Sequence, residues 1–303
     1  MTSLDGYKWR CSFAFGKYEQ MASALLLALL LMAHLDCPFA RRLYGLDGFN
    51  QNYAITWGAN HVSYLDQGRV VQLSLDRSSG SGFGSKLDYR SGFFHLKIKL
   101  PNKDSAGVVA TFYLSSRTNA RHDELDYEFL GNREGKPITL QTNIFANGHG
   151  NREQRIHLWF DPTADFHDYK ILWNAYQIVF FVDDTPIRVY KNLASIGVEY
   201  PSQPMQILAS IWDGDSWATD GGRTKINWTH SPFYAQFQGF NIDGCSSDSI
   251  TCSSPNLWWN AGSYRELNPA QKAAYQHVKE KYMTYDYCYD KTRYPTPPPE
   301  CYQ

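Results

Sequence analysis

In the stretch HDELDYEFLG, His122 to Gly131, the acids Glu124, Asp126 and Glu128 occupy every second position, and Leu125, Tyr127 and Phe129 fill the positions between. That period belongs to a β-strand, which sends alternate side chains to opposite faces. The chain is therefore expected to run extended here, with three apolar residues in a core and three acids on one open face. Like charges in a row repel, and each raises its neighbours' affinity for a proton. Such a row serves chemistry rather than stability. Carboxyls held at different proton affinities are what cleavage of a glycosidic bond requires, one as acid and one as nucleophile.

Along an extended strand the α-carbons of Glu124 and Glu128 lie roughly 13 Å apart, at about 3.4 Å per residue. A retaining glycosidase holds its two carboxyls only about 5 to 5.5 Å apart, and an inverting one about 6.5 to 9.5 Å. Retention thus requires the two long side chains to lean together across the shorter Asp126 on a twisted, concave sheet. Asp126 suits the part of third partner, hydrogen-bonded to one glutamate and helping to shift its proton between steps. His122, two positions earlier on the same face, extends the polar ladder or caps the strand edge. A solvated acidic face or a calcium site is the alternative for the trio. Calcium, however, prefers oxygens from several loop positions over one straight strand.

The remainder supplies a frame for that strand. Phe94, Leu96, Ile98 and Leu100 alternate with polar residues, and Val108 to Leu114, Ile156 to Phe160, Tyr169 to Trp173 and Met205 to Trp212 are apolar runs of strand length. Gln177 to Val182 and Thr185 to Tyr190 flank Asp183 and Asp184 as a hairpin. Gly and Ser clusters such as Ser78 to Ser85 are expected to punctuate the strands. An all-β fold, a jelly-roll sandwich of two antiparallel sheets, accommodates so many strands without crossover helices. After Gly244 the character changes: Asn268 and Pro269 start a helix ending near Tyr282, and a proline-rich tail follows to Gln303. The expected organisation is a signal segment over 1–37, a catalytic sandwich over 38–243 and an extension over 244–303.

At 43% hydrophobic residues the chain can build one large core with an appendage. Its 29 basic and 30 acidic side chains offer no field for nucleic acid or anionic lipid, so a neutral partner is expected. Aromatic content of 16% is high; most of these rings belong in the core, and the rest, as flat rings in a cleft, suit stacking on sugars. Met21 to Ala33 is uncharged and too short for the roughly 20 residues of a spanning helix. With Lys8, Arg10 and Lys17 before it, the segment reads as a secretory signal of unusual length, with Met21 as a second candidate start and a membrane anchor as the alternative. Cleavage is expected near residues 36–40, leaving no membrane attachment.

Of six cysteines, Cys11 and Cys37 lie in or beside this signal, and Cys245, Cys252, Cys288 and Cys301 lie in the last quarter. Secretion makes two disulfides the expectation. Short loops favour Cys245 with Cys252 and Cys288 with Cys301 among three connectivities. Zinc is the alternative, but there is no paired C-x-x-C. No cofactor is expected, and no metal.

HDELDYEFLG resembles the active-site strand of the xyloglucan endotransglucosylase/hydrolases, a plant cell-wall family within glycoside hydrolase family 16. FNQNYAITWGANHV, VVQLSLDRSSGSGFGSK, SAGVVATFYLSS, LQTNIFANGHGNREQRIHLWFDPT, WNAYQIVFFVDDTPIR, SWATDGG and DYCYDKTRYPTPPPEC are similar to family segments in the family's order, from Phe49 to Cys301. The resemblance implies Glu124 as nucleophile, Glu128 as general acid/base and Asp126 as the residue positioned between them. It implies a secreted, apoplastic cell-wall enzyme that cuts the β-1,4-glucan backbone of xyloglucan and passes the donor to a xyloglucan or oligosaccharide acceptor, or to water. Substrate contacts are expected from His122, Gln141, Asn143, Trp212, Asp215, Trp217, Gly222, Tyr287 and Arg293, with the extension helping to form the acceptor side.

Three departures from the family pattern stand out. Asn132, Arg133 and Glu134 do not make the glycosylation sequon common after the catalytic strand, whereas Asn227, Trp228 and Thr229 do form N-x-T. Asp220 stands where the family usually has Arg, reversing a charge expected to face the cleft. The Phe145 to Arg155 loop lacks the insertion of the predominantly hydrolytic branch, which favours transfer by analogy. Action on another β-glucan, or a jelly roll that only binds carbohydrate, are the competing readings.

Overall fold

The computed structural model of the chain describes residues 46–118 and 120–302. The expected signal segment, with Cys11, Cys37 and the candidate start at Met21, lies outside the described residues. Among the described residues, no helix is long and apolar enough to cross a membrane.

The strands form two antiparallel layers. One runs in the order Tyr53–Trp57, the first half of Ser81–Lys99, Met205–Asp213, Val108–Ser116, Glu124–Leu130, Thr139–Phe145, Gln154–His157 and Met283–Asp286. The other runs Val62–Leu65, Val70–Leu75, Phe233–Gln238, the second half of Ser81–Lys99, His167–Trp173, Gln177–Val182 and Thr185–Lys191. The 19-residue strand Ser81–Lys99 belongs to both, pairing Ser81 to Tyr89 in the first and Gly92 to Lys99 in the second. Asp243–Ser246 continues beside its middle.

Leu125, Tyr127 and Phe129 are buried between the layers, as their alternation predicts. The Tyr127 and Phe129 rings meet Tyr169 edge-on at 5.7 and 4.7 Å, and Tyr127 meets Phe180 at 5.1 Å. Its hydroxyl lies 2.8 Å from the Phe181 carbonyl, which removes the cost of burying a phenol unpaired. Burial of each such ring contributes roughly 1.5 to 3 kcal/mol. The carboxylate strand is thereby fixed by its underside.

Two boundaries differ from expectation. The run Ile156 to Phe160 is a strand only over Gln154–His157; beyond it Phe160 stacks on His167 at 3.5 Å and Trp159 meets Phe160 edge-on, rather than continuing the ladder. Ser81 to Ser85 does not punctuate; it opens the longest strand. The hairpin is formed by Gln177–Val182 and Thr185–Lys191.

The helix Pro269–Lys281 begins at Asn268, whose side chain accepts from the Gln271 amide while Gln271 reaches back, a capping box with Pro at the first turn. Disulfides join Cys245 to Cys252 and Cys288 to Cys301, the local pairing expected from loop length. Met283–Asp286 adds an edge strand beside Gln154–His157. The extension therefore lengthens the sheet that carries the acids.

Candidate active site

Glu124, Asp126 and Glu128 line one cleft of about 470 Å³ together with Thr111, Tyr113, Gln141, Asn143, Glu153, Arg155, Trp212 and Trp217. Register explains the grouping. Glu128 stands opposite Thr111 on one side and Gln141 on the other, and Asp126 stands opposite Tyr113 and Asn143. Directly paired residues of an antiparallel ladder share a face, so the alternation read in one strand is repeated in its neighbours.

Each carboxyl has its own surroundings. Glu128 accepts a hydrogen bond of 2.6 Å from Gln141 Nε2, and Gln141 Oε1 in turn accepts from Arg155 Nε at 2.6 Å. Burial raises the Glu128 proton affinity, the Gln141 donor works against that rise, and the Glu124 charge adds to it. Asp126 is pushed well above the usual carboxylate range, first by burial, then by the charges of Glu124 and Glu128, with the Arg188 guanidinium opposing. That favours the protonated form of Asp126, which could then donate to Glu124. His122 Nε2 approaches the other side of Glu124 at 3.1 Å, and the His122 ring packs edge-on against Phe145. Burial pushes the Tyr113 phenol up to about 12, so it faces the acids as a donor.

The site is braced from behind. Arg188, fully buried, donates to the Thr142 carbonyl at 2.9 Å and the Arg152 carbonyl at 2.6 Å, clamping the strand that carries Gln141 and Asn143. Asp123 accepts backbone N–H groups from Asn147, Ser202 and Gln203 at 2.7, 2.6 and 2.8 Å, tying two loops to the start of the carboxylate strand. Asp123 and Arg155 were not singled out in the sequence. Asp123 was legible as the acid out of phase with the other three. Thr111 and Tyr113 alternate with Ala110 and Phe112, a period hidden inside what read as an apolar run.

Trp212 and Trp217 meet at 6.1 Å between centroids and form one wall. Several expected substrate contacts are placed elsewhere. Asp215 turns into its own loop, accepting from the Ile226 amide at 2.7 Å and pairing with Lys225 at 3.6 Å, because that buried amide needs an acceptor. Gly222 has φ of +81°, and a β-carbon there would lie 2.1 Å from the Ser216 carbonyl oxygen, so only glycine closes this turn. Tyr287 is buried under the extension with its ring 5.8 Å from the Arg188 guanidinium, and it holds the extension to the sandwich.

Arg293 reaches the cleft margin by pairing with Glu153. Asp220 faces an adjoining depression lined by Asn132, Thr139, Arg155, Arg223 and Tyr285, with Arg155 common to both hollows. Thr224 Oγ1 donates to the Asp220 carboxyl. Asn227 is exposed and caps a short turn through Thr229. Among the described residues no cluster of His, Cys, Asp and Glu is arranged to hold a metal ion.

A two-layer antiparallel sandwich with an acid-lined, tryptophan-walled cleft is the build of a polysaccharide-processing jelly roll. Residues 49–230 match the description Glycosyl hydrolases family 16, and residues 253–301 match Xyloglucan endo-transglycosylase (XET) C-terminus. The chain is 56% identical over 262 residues to xyloglucan endotransglucosylase/hydrolase protein 2 of Arabidopsis thaliana, covering 85% of this chain and 89% of that protein. To protein 3 of the same organism it is 57% identical, covering 84% and 88%. Among solved structures, the Bacillus licheniformis β-glucanase superposes with a TM-score of 0.51 at 25% identity, over 62% of this chain and 89% of that one. The chain belongs to the xyloglucan endotransglucosylase/hydrolases of glycosyl hydrolase family 16.

Proposed function

We propose that Glu124 is the nucleophile, Glu128 the general acid/base and Asp126 the positioning acid of a retaining xyloglucan endotransglucosylase. The enzyme cuts and rejoins xyloglucan chains in remodelling of the plant cell wall. The observation that carries the assignment of roles is the division of three aligned carboxyls within one cleft. Glu128, raised by burial and its neighbours, retains a proton to give. Asp126, raised further, stays protonated and hydrogen-bonds Glu124, which aims a Glu124 oxygen at the sugar.

In the first step Glu124 attacks the anomeric carbon while the Glu128 proton passes to the departing glycosidic oxygen; the C–O bond breaks and a glycosyl-enzyme ester forms. In the second, Glu128 takes the proton of an acceptor hydroxyl as its oxygen displaces Glu124. Transfer prevails over hydrolysis only when acceptor sugars bind well enough to compete with water. The depression bounded by Asp220, Arg223 and Tyr285 continues from the cleft at Arg155 and supplies that acceptor surface. The reading extends to a signal segment over 1–37, a sandwich over 38–243 and an extension over 244–303, with secretion to the apoplast, no attachment to membrane after cleavage, and glycosylation at Asn227.

The test is incubation of polymeric xyloglucan with a labelled xyloglucan oligosaccharide. Label entering high-mass polymer is expected. Falling chain length without incorporation would replace transfer by hydrolysis, and incorporation only with mixed-linkage or cellulosic chains would change the substrate.

A further inference from the structure

The glycine-rich run Gly80 to Gly84 lies in the floor of the sheet that carries the acids, yet the chemistry above makes no use of it. Following the register outward from the acid/base gives a single row: Glu128 opposite Thr111, Thr111 opposite Ser210, Ser210 opposite Gly82, and Gly82 opposite Trp57. Thr111 and Ser210 hydrogen-bond at 2.8 Å and both line the cleft. A β-carbon on Gly82 would lie 3.2 Å from the Ser210 β-carbon and only 2.5 Å from Trp57 Nε1; one on Gly80 would lie 3.0 Å from Trp57 Cη2. The indole is therefore laid across the two glycines, on the same face as Ser210 and the acids. Any side chain at either position would lift it.

A register shift between Ile55 and Trp57 aims it there. Ile55, opposite Phe83, packs toward the core, and strict alternation would send Trp57 after it. The extra residue of the bulge turns Trp57 to the open face instead. Despite the contact beneath it, Trp57 is 42% exposed. A flat ring supported on one face and open on the other is the form that stacks on a pyranose.

We infer that Trp57 is a distal sugar-stacking platform, binding a glucosyl ring of the β-1,4-glucan donor at the end of the cleft away from the extension. Four strand spacings, about 19 Å, separate its row position from Glu128, so only a donor several sugars long reaches it. The inference rests on the proposed function for the chemistry at Glu128 and for the extension as the acceptor side.

The test measures kcat/KM for a series of xyloglucan donors of increasing length at fixed acceptor, in wild type, Trp57→Phe and Trp57→Leu, with melting temperatures recorded. Loss of the flat face in Trp57→Leu should cost about five- to tenfold more on long donors than on donors too short to reach the ring, mainly through KM. Trp57→Phe, which keeps a flat ring and folds over the same glycines, should retain most of the length dependence. An equal loss at all donor lengths, or a loss that follows acceptor length, would overturn the inference. A wild type inactive on xyloglucan but length-dependent through Trp57 on another β-glucan would overturn the substrate reading and leave the platform standing.

Discussion

The carboxylate strand and the C-terminal extension lie in one sheet with two strands between them, and are held by different means. Glu124–Leu130 sits mid-sheet with its underside in the aromatic core and a buried arginine bracing its neighbour. The extension buries only Val278 of its 13-residue helix. It depends on two disulfides, a four-residue edge strand, the buried Tyr287, a small apolar cluster of Trp259 and Leu267 against Leu172, Val179 and Phe181, and ion pairs from Arg152 to Glu300 and Arg293 to Glu153. Chemistry stands on the part that folds by burial. In the proposed function, selection of the second substrate falls to the part held largely by local staples.

The largest effect should come from the first region. Glu124→Ala is expected to lower kcat by about 10⁴-fold or more, with melting and polysaccharide binding retained; residual turnover near wild type would end the assignment. The paired change Cys288→Ser with Cys301→Ser removes a cross-link spanning 13 residues, worth about 3 kcal/mol in loop entropy. It should lower the transfer-to-hydrolysis ratio while cleavage persists. Equal loss of cleavage and transfer would erase the distinction between the two regions.

A finer probe is Gln141→Leu. Gln141 holds the Glu128 proton affinity down against burial, so its removal lets Glu128 keep the acid form to higher pH. The basic limb of kcat/KM should move upward, and a downward shift would contradict the hydrogen-bond direction. The smallest effect is expected from Asp220→Arg, a solvent-screened charge reversal that should change acceptor KM by roughly two- to fivefold without altering donor cleavage. A change confined to the donor would place Asp220 on the wrong side.

The acids were legible in the sequence because both faces of their strand carry a signal, charge above and aromatic below. Gln141 and Asn143 were legible for the same reason, as alternating amides. The strand beginning at Ser81 was not, since glycine has no side chain to mark a period, and its run resembled a loop. Tyr287, Asp215 and Gly222 look like polar or tail residues in one dimension. Only the fold shows that one is buried under Arg188, one satisfies an amide and one closes a turn. Arg155 escaped notice because its role is set across strands, by Gln141 on one side and the Tyr285 ring, 5.4 Å away, on the other.

The bulge before Trp57 has one further consequence. A single added residue in a central strand would turn every following side chain to the wrong layer, but Tyr53–Trp57 is the border of its sheet and ends at this tryptophan. The margin is therefore where evolution can insert or delete a residue, swinging a ring into or out of the groove and changing how much polymer is gripped, while the reaction centre keeps its geometry.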